Sequence, residues 1–363
     1  MGCSEPSHVH SAACGIGPST IGRRSLLTFG AAMAATAVAP KLSAHAAPKA
    51  APAPKRFRID IHHHPYFPDY MAAFGPGRFW LPLMKNWSPQ ASLDQMDQAG
   101  VETSILSIAL PGVQFGTPEQ TARIARLCND EMTKLSHDTP HRFGVFAALP
   151  LPDMDLALKE VAYALDTLHV DGIGLYTSYN GKYLGDPSFV PLFDELNRRK
   201  AVVYTHPVTA PCCGNLVPGI TDGVIEYGVD TGRTIASLVF NGAATRWPDI
   251  KFIFSHAGGV MPFLIERFDF QMTDPAVAKR VPGGLHPALR SFYYDTAQSS
   301  NPVAMGALRQ VVDTSHILFG TDYPYRTVVE HVKNLAGCGF SNVQLRNIER
   351  GNATKLIPRL ATA

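Results

Sequence analysis

The chain has 363 residues, 45% hydrophobic and 17% charged, a balance that excludes a disordered or fibrous protein and suits one large globular domain or two small ones. The 32 Lys and Arg against 30 Asp and Glu leave a net charge of +2, with no basic block long enough to track a phosphate backbone. That argues against nucleic acid and for a small-molecule partner. Six cysteines, Cys3, Cys14, Cys128, Cys212, Cys213 and Cys338, are too scattered for a disulfide framework or a CxxC metal knuckle.

Residues 1–46 read as a twin-arginine signal peptide. Arg23-Arg24-Ser25-Leu26-Leu27 precedes an Ala-rich apolar run, and Ala44-His45-Ala46 offers a small-residue cleavage site. The apolar run, about 15 residues from Ser25 to Ala39, falls short of the roughly 20 that span a bilayer, so no permanent membrane anchor is expected. Cleavage after Ala46 would remove three basic residues and one acid, leaving 29 of each sign. The expected location is therefore the bacterial periplasm or the exterior, reached already folded, or the cytoplasm if the signal is not used. The other reading is a tail holding two chance arginines. Residues 47–56 form a Pro/Ala linker ahead of a catalytic domain over 57–363. In an oxidising compartment Cys212 and Cys213 could bridge, although a vicinal disulfide is strained and two free thiols are commoner.

From Phe57 onward, short β-branched or aromatic runs alternate with stretches of helical periodicity. Eight strands are predicted, near 57–62, 103–110, 142–149, 172–177, 201–206, 251–256, 291–296 and 316–322. Between them apolar residues recur at helical spacing, as at Leu156, Val161 and Leu165 or at Phe193 and Leu196. Ser92 is the candidate N-cap of a short helix leading into the second strand. Eight parallel strands in about 300 residues predict an α/β protein of the (β/α)8 TIM-barrel type. An open doubly wound sheet would show a glycine-rich turn after its first strand, and no GxGxxG follows Asp60.

Catalytic groups of such barrels sit at the carboxyl ends of the strands. Strand one here ends in Asp60-Ile61-His62-His63-His64, strand five in His206-Pro207 and strand six in Ser255-His256-Ala257-Gly258-Gly259. Strand seven ends in Asp295-Thr296-Ala297, strand eight in Gly320-Thr321-Asp322-Tyr323-Pro324. His62 and His64, two apart on an extended segment, project to one side, and His63 to the other. Three imidazoles and the Asp322 carboxylate make a mononuclear site with an open position, for zinc first and manganese as the alternative. One strand-end histidine is more often a hydrogen-bonded rim residue, and HHH alone could be a surface cluster. Four histidines and an aspartate falling on four strand ends favour the ion. His137, His141, His169, His286, His316 and His331 are expected to be structural, on the far side of the barrel.

The quoted strand ends stand in order with Trp87-Ser88-Pro89, Met96-Asp97-Gln98-Ala99-Gly100-Val101, Cys128-Asn129-Asp130-Glu131 and Arg142-Phe143. With them the chain resembles the amidohydrolase superfamily over residues 57–358, in particular its aminocarboxymuconate-semialdehyde decarboxylase-like branch. The resemblance implies a distorted barrel holding one divalent ion by His62, His64, His206 and Asp322. It implies His256 as the catalytic acid/base, and an arginine lent by a neighbouring subunit, here Arg267, hence a functional homodimer or higher oligomer. Two features depart from the branch. Leu83, with Lys85 nearby, stands where its name-giving enzyme has an arginine before the WxP element, and the segment 208–219 lacks the tryptophan that often follows HP.

The expected activity is metal-dependent, non-oxidative decarboxylation of a small aromatic or unsaturated carboxylic acid. His256 would shuttle the proton, and Asp322 would serve as ligand and as a second catalytic group. Trp80, Trp87, Phe263 and Tyr323, with Phe79, are candidates to stack on a flat substrate, or else ordinary packing residues. Two rival readings share the site: a hydrolase of a lactone, ester or amide, and a binding barrel without turnover. The second would predict a broken ligand set, and every motif position is filled.

Overall fold

The computed structural model describes residues 55–74 and 81–361. The twin-arginine segment, most of the linker, Phe79 and Trp80 lie outside the described residues. Eight parallel strands pair in chain order: β1 (Arg58–His63), β2 (Val101–Leu106), β3 (Phe143–Ala148), β4 (Gly172–Tyr176), β5 (Val202–His206), β6 (Lys251–Phe254), β7 (Tyr293–Asp295) and β8 (Ile317–Leu318). Each expected strand is present. Helices alternate with them: α1 (Pro89–Ala99), α2 (Pro118–Asp138), α3 (Met154–Ala162), α4 (Val190–Arg198), α5 (Glu226–Phe240), α6 (Ile265–Gln271), α7 (Pro302–Val311) and α8 (Val328–Ala336). No described helix is long and apolar enough to cross a membrane.

Strand faces sort the apolar residues into two layers, as a sheet buried on both sides requires. Ile59, Ile105, Phe146, Tyr204, Ile253 and Leu318 fill the barrel interior, where Phe146 and Tyr204 stack with ring centroids 5.4 Å apart. Ala353, Ile357 and Leu360 from the C-terminal segment join this inner cluster. Val145, Val203 and Phe252 belong to the other cluster, which includes buried helical residues such as Leu196 and Leu238. Along β5, Val202, Tyr204 and His206 share a face by the two-residue period, so His206 continues the inner face at the strand's carboxyl end.

Two local expectations are corrected. The N-cap of α1 is Ser88, whose Oγ accepts the Ala91 N–H at 3.1 Å, with Pro89 at the first helical position. Ser92 is buried inside the helix, where its hydroxyl meets His63 Nε2 at 3.0 Å. Strand eight is also shorter than expected. After Leu318 the backbone leaves regular pairing, and Asp322 takes a left-handed φ of 63°.

That irregular segment closes the barrel. Ile61 N–H donates to Phe319 O at 3.0 Å, Asp322 N–H to His62 O at 2.8 Å and His64 N–H to Tyr323 O at 2.8 Å. The buried Asp60 carboxylate ties the same seam, accepting from Thr321 Oγ1 at 2.7 Å and from the backbone N–H groups of Thr321 and His62 at 3.1 Å each. Removing it strands three buried donors. Asp60→Ala is expected to cost about 2–4 kcal/mol in denaturant unfolding, and an unchanged midpoint would show that the carboxylate does not hold the seam.

Candidate metal centre

The strand-one, strand-five and strand-eight residues converge at the barrel mouth. One donor atom from each of His62, His64, His206 and Asp322 lies within 4.8 Å of the others, and all four residues are buried. His62 Nε2 is 3.0 Å from His64 Nε2, and Asp322 Oδ1 lies 3.3 Å and 3.0 Å from those two nitrogens.

The back of each imidazole fixes its tautomer. His62 Nδ1 faces Asp295 Oδ2 at 2.7 Å, His64 Nδ1 the Ser107 carbonyl at 2.9 Å and His206 Nδ1 the Pro207 carbonyl at 2.9 Å. Carbonyls and carboxylates only accept, so all three Nδ1 atoms carry a hydrogen and each ring, in its neutral form, turns an Nε2 lone pair inward. Asp322 Oδ1, buried, has no hydrogen-bond partner. Lone pairs 3.0 Å apart repel unless a positive centre sits against them, and an orphaned carboxylate oxygen makes the same demand. The donor set fits one divalent cation.

Without an ion, the charges around the rings call for a positive centre. Burial presses the His62 imidazole toward neutrality, yet the Asp295 and Asp322 carboxylates outweigh it and raise its pKa to about 10. No such pair surrounds the other two rings. Burial lowers His64, and it lowers His206 well below the usual range with help from His64 and His62. Burial alone would raise the Asp322 carboxyl, but its close contacts with His62, His256 and His64 hold it well below the ordinary value.

His256 stands beside this set, Nε2 3.3 Å from Asp322 Oδ2. Its backbone, in the left-handed region at φ 55°, is pinned by its N–H donating to Asp295 Oδ1 at 2.8 Å. The turn needs glycine at 259: a Cβ there would stand 2.0 Å from Gly228 O. Asp295 therefore orients both His62 and His256. Gln298 also reaches the centre, its side-chain N–H donating to Asp322 Oδ2, while its backbone N–H donates to His331 Nε2 at 2.9 Å. His331 is thereby corrected from a far-side residue to one placed behind the centre. Asp295 was visible as a strand end, but its link to His62 was not. Gln298 and His331 carried no sequence signal, since their roles depend on a left-handed turn at Gln298 and a neighbouring helix.

A cavity of about 520 Å³ adjoins the centre through His256 and Gln298, and Tyr227, Ser299 and Arg326 also line it. That size suits a small organic ligand. The stacking candidates are placed elsewhere. Trp87 is buried edge-on to Phe67, with ring centroids 5.1 Å apart, and Tyr323 lies against His63 at 4.7 Å. Phe263 and Arg267 are exposed and do not line the cavity. Cys212 and Cys213 are both free thiols.

A parallel eight-stranded barrel with these imidazoles and this carboxylate at its mouth is a metal-binding amidohydrolase-type fold. The chain belongs to the amidohydrolase family, whose model matches residues 59–359. It is similar to decarboxylase yanB of Aspergillus niger, 38% identical over 325 residues that cover 83% of this chain and 88% of that protein. The 6-methylsalicylic acid decarboxylase of Penicillium expansum is 35% identical, covering 84% and 97%. A dihydroxybenzoic acid decarboxylase from Polaromonas, solved with bound manganese, superposes with a TM-score of 0.71 at 22% identity, covering 84% of this chain and 97% of that one.

These relatives overturn the expected location. Both of these relatives are fungal decarboxylases, not bacterial proteins exported through a twin-arginine route, so the periplasmic or secreted assignment is withdrawn.

Substituting His64 or His206 by Ala is expected to lower bound metal from about one ion per chain to near none by elemental analysis. The circular dichroism of the barrel should remain. Full metal retention in both variants would refute the ligand set.

Proposed function

We propose that this chain is a metal-dependent decarboxylase that removes carbon dioxide from a hydroxylated benzoic acid without oxidation. The observation that carries the reading is the set of three inward Nε2 atoms and Asp322 Oδ1, placed beside His256, which lines a cavity of aromatic-acid size. The decarboxylase relatives of aromatic acids support it. His62, His64, His206 and Asp322 would hold the ion. Zinc is proposed because imidazole nitrogen is its customary donor. Manganese, present in a structural neighbour, is the second reading.

When bound, the cation supplies Lewis-acid polarisation of the substrate's oxygen donors. The chain supplies the proton and its control. His256 holds a proton at Nε2 toward Asp322 Oδ2 and delivers it to the ring carbon that bears the carboxylate. The C–C bond to the carboxylate then breaks, its electron pair returns to the ring and carbon dioxide leaves. One proton enters and one CO2 departs, so no oxidant is needed. Gln298 keeps Asp322 Oδ2 engaged, leaving Oδ1 for the ion. Arg267, outside its own chain's cavity, is assigned to the site of a second copy.

The deciding experiment is a screen of metal-loaded protein against salicylates and dihydroxybenzoates, with CO2 trapped and the phenol identified by mass spectrometry. Opening of lactones or esters with no CO2 from any acid would overturn the reading. His256→Ala, with its metal retained, is expected to lose about 10²–10⁴-fold in kcat. Unchanged turnover would remove the proton from that residue.

A further inference from the structure

Arg326 is unlike the arginines that brace this fold. Arg58 pairs with Glu349 at 2.7 Å, Arg142 with Asp97 at 2.8 Å and Arg199 with both Asp166 and Glu195 at 2.6 Å. Among the described residues, no ion pair or hydrogen bond engages the Arg326 guanidinium. Though exposed, its side chain is not on an open face. It lines the same 520 Å³ cavity as His256 and Gln298, and no Asp, Glu or Lys and no other Arg lines that cavity.

Its backbone is also set in place. The preceding segment is fastened by His64 N–H to Tyr323 O at 2.8 Å, Tyr325 N–H to Asp322 O at 2.9 Å and a hydroxyl–hydroxyl bond between Tyr66 and Tyr325. Arg326 therefore issues from a braced turn four residues after Asp322. A guanidinium presents a planar fork that matches a carboxylate bidentately, and holding it in a cavity without a protein counter-charge leaves that fork for a ligand.

We propose that Arg326 anchors the carboxylate of the incoming aromatic acid, so the site takes monoanionic benzoates in preference to the neutral phenols it releases. The inference rests on the decarboxylase reading and extends it to substrate capture. It gives the cavity a direction: acid is drawn in by charge, and the product, having lost its carboxylate, loses its hold on Arg326. Binding too tight would only stabilise the ground state, and an exposed, solvated guanidinium suits capture and release.

The test is calorimetric titration of metal-loaded protein with 6-methylsalicylate and with 3-methylphenol, the same ring without the carboxylate. Arg326→Gln is expected to raise the Kd of the acid by about 10-fold or more, the loss of one charge-assisted pair. The phenol should change by less than about 2-fold because it never engages the fork. Arg326→Lys should fall between, keeping charge without the fork. Equal losses for acid and phenol, or no loss for either, overturn the assignment. If CO2 release by the wild type is established and Arg326→Gln matches it in kcat/KM, the anchor alone is refuted. If the wild type neither binds nor decarboxylates any aromatic acid, the decarboxylase reading fails and the anchor with it.

Discussion

Electron-pair donors repel, and the mouth of this barrel is built to hold four of them together. Each ring is locked from behind by an acceptor with no hydrogen to give: Asp295, the Ser107 carbonyl or the Pro207 carbonyl. The fourth donor, Asp322, is aimed by a left-handed backbone that the β1–β8 seam holds in place. Without a cation the assembly is frustrated, and the basic shift of His62 expresses that frustration as an appetite for a proton. The fold is therefore poised for metal before any metal arrives.

Asp295 and Asp322 divide the work between their oxygens. Asp295 Oδ2 orients His62 while Oδ1 accepts the His256 and Ala297 backbone N–H groups, so one carboxylate sets the spacing between a ligand and the proposed proton donor. Asp322 keeps Oδ1 toward the imidazoles and turns Oδ2 to His256 and Gln298. Behind Gln298, His331 accepts a backbone N–H through Nε2, which requires that nitrogen to be unprotonated. A chain of three residues thus runs from α8 to the metal side of the cavity.

Much of this was legible in the sequence, for a physical reason. Parallel strands buried on both faces are short apolar runs, and an ionisable residue at the end of such a run has no solvent face to occupy. His62, His64, His206, His256 and Asp322 stood out on that ground. Ser92 misled because a hydroxyl ahead of an apolar pattern looks like a cap, whereas Ser88-Pro89 one turn earlier is the stronger start. His331 misled because helix position alone does not say which end of the barrel a side chain reaches. Trp87 and Tyr323 were aromatic and close in sequence to site motifs, but sequence proximity does not choose between facing a cavity and facing Phe67 or His63. Arg326 carried no sequence signal, since what sets it apart is the absence of a carboxylate partner.

Four of the nine described non-glycine residues with positive φ gather at the site. His256, Ala257, Gln298 and Asp322 all adopt positive φ without being glycine, at 55°, 57°, 48° and 63°. Such conformations cost of order 1–3 kcal/mol each and persist only where neighbours over-determine them. Here the neighbours are identifiable: Asp295 holds His256, His331 holds Gln298 and the His62 carbonyl holds Asp322. At the barrel mouth, the residues held in this conformation and those that restrain them belong to the site and its supports. The barrel's rigidity at its mouth is thus spent on aiming three side chains, and relaxing any one of them would lower strain while pulling the donor set apart.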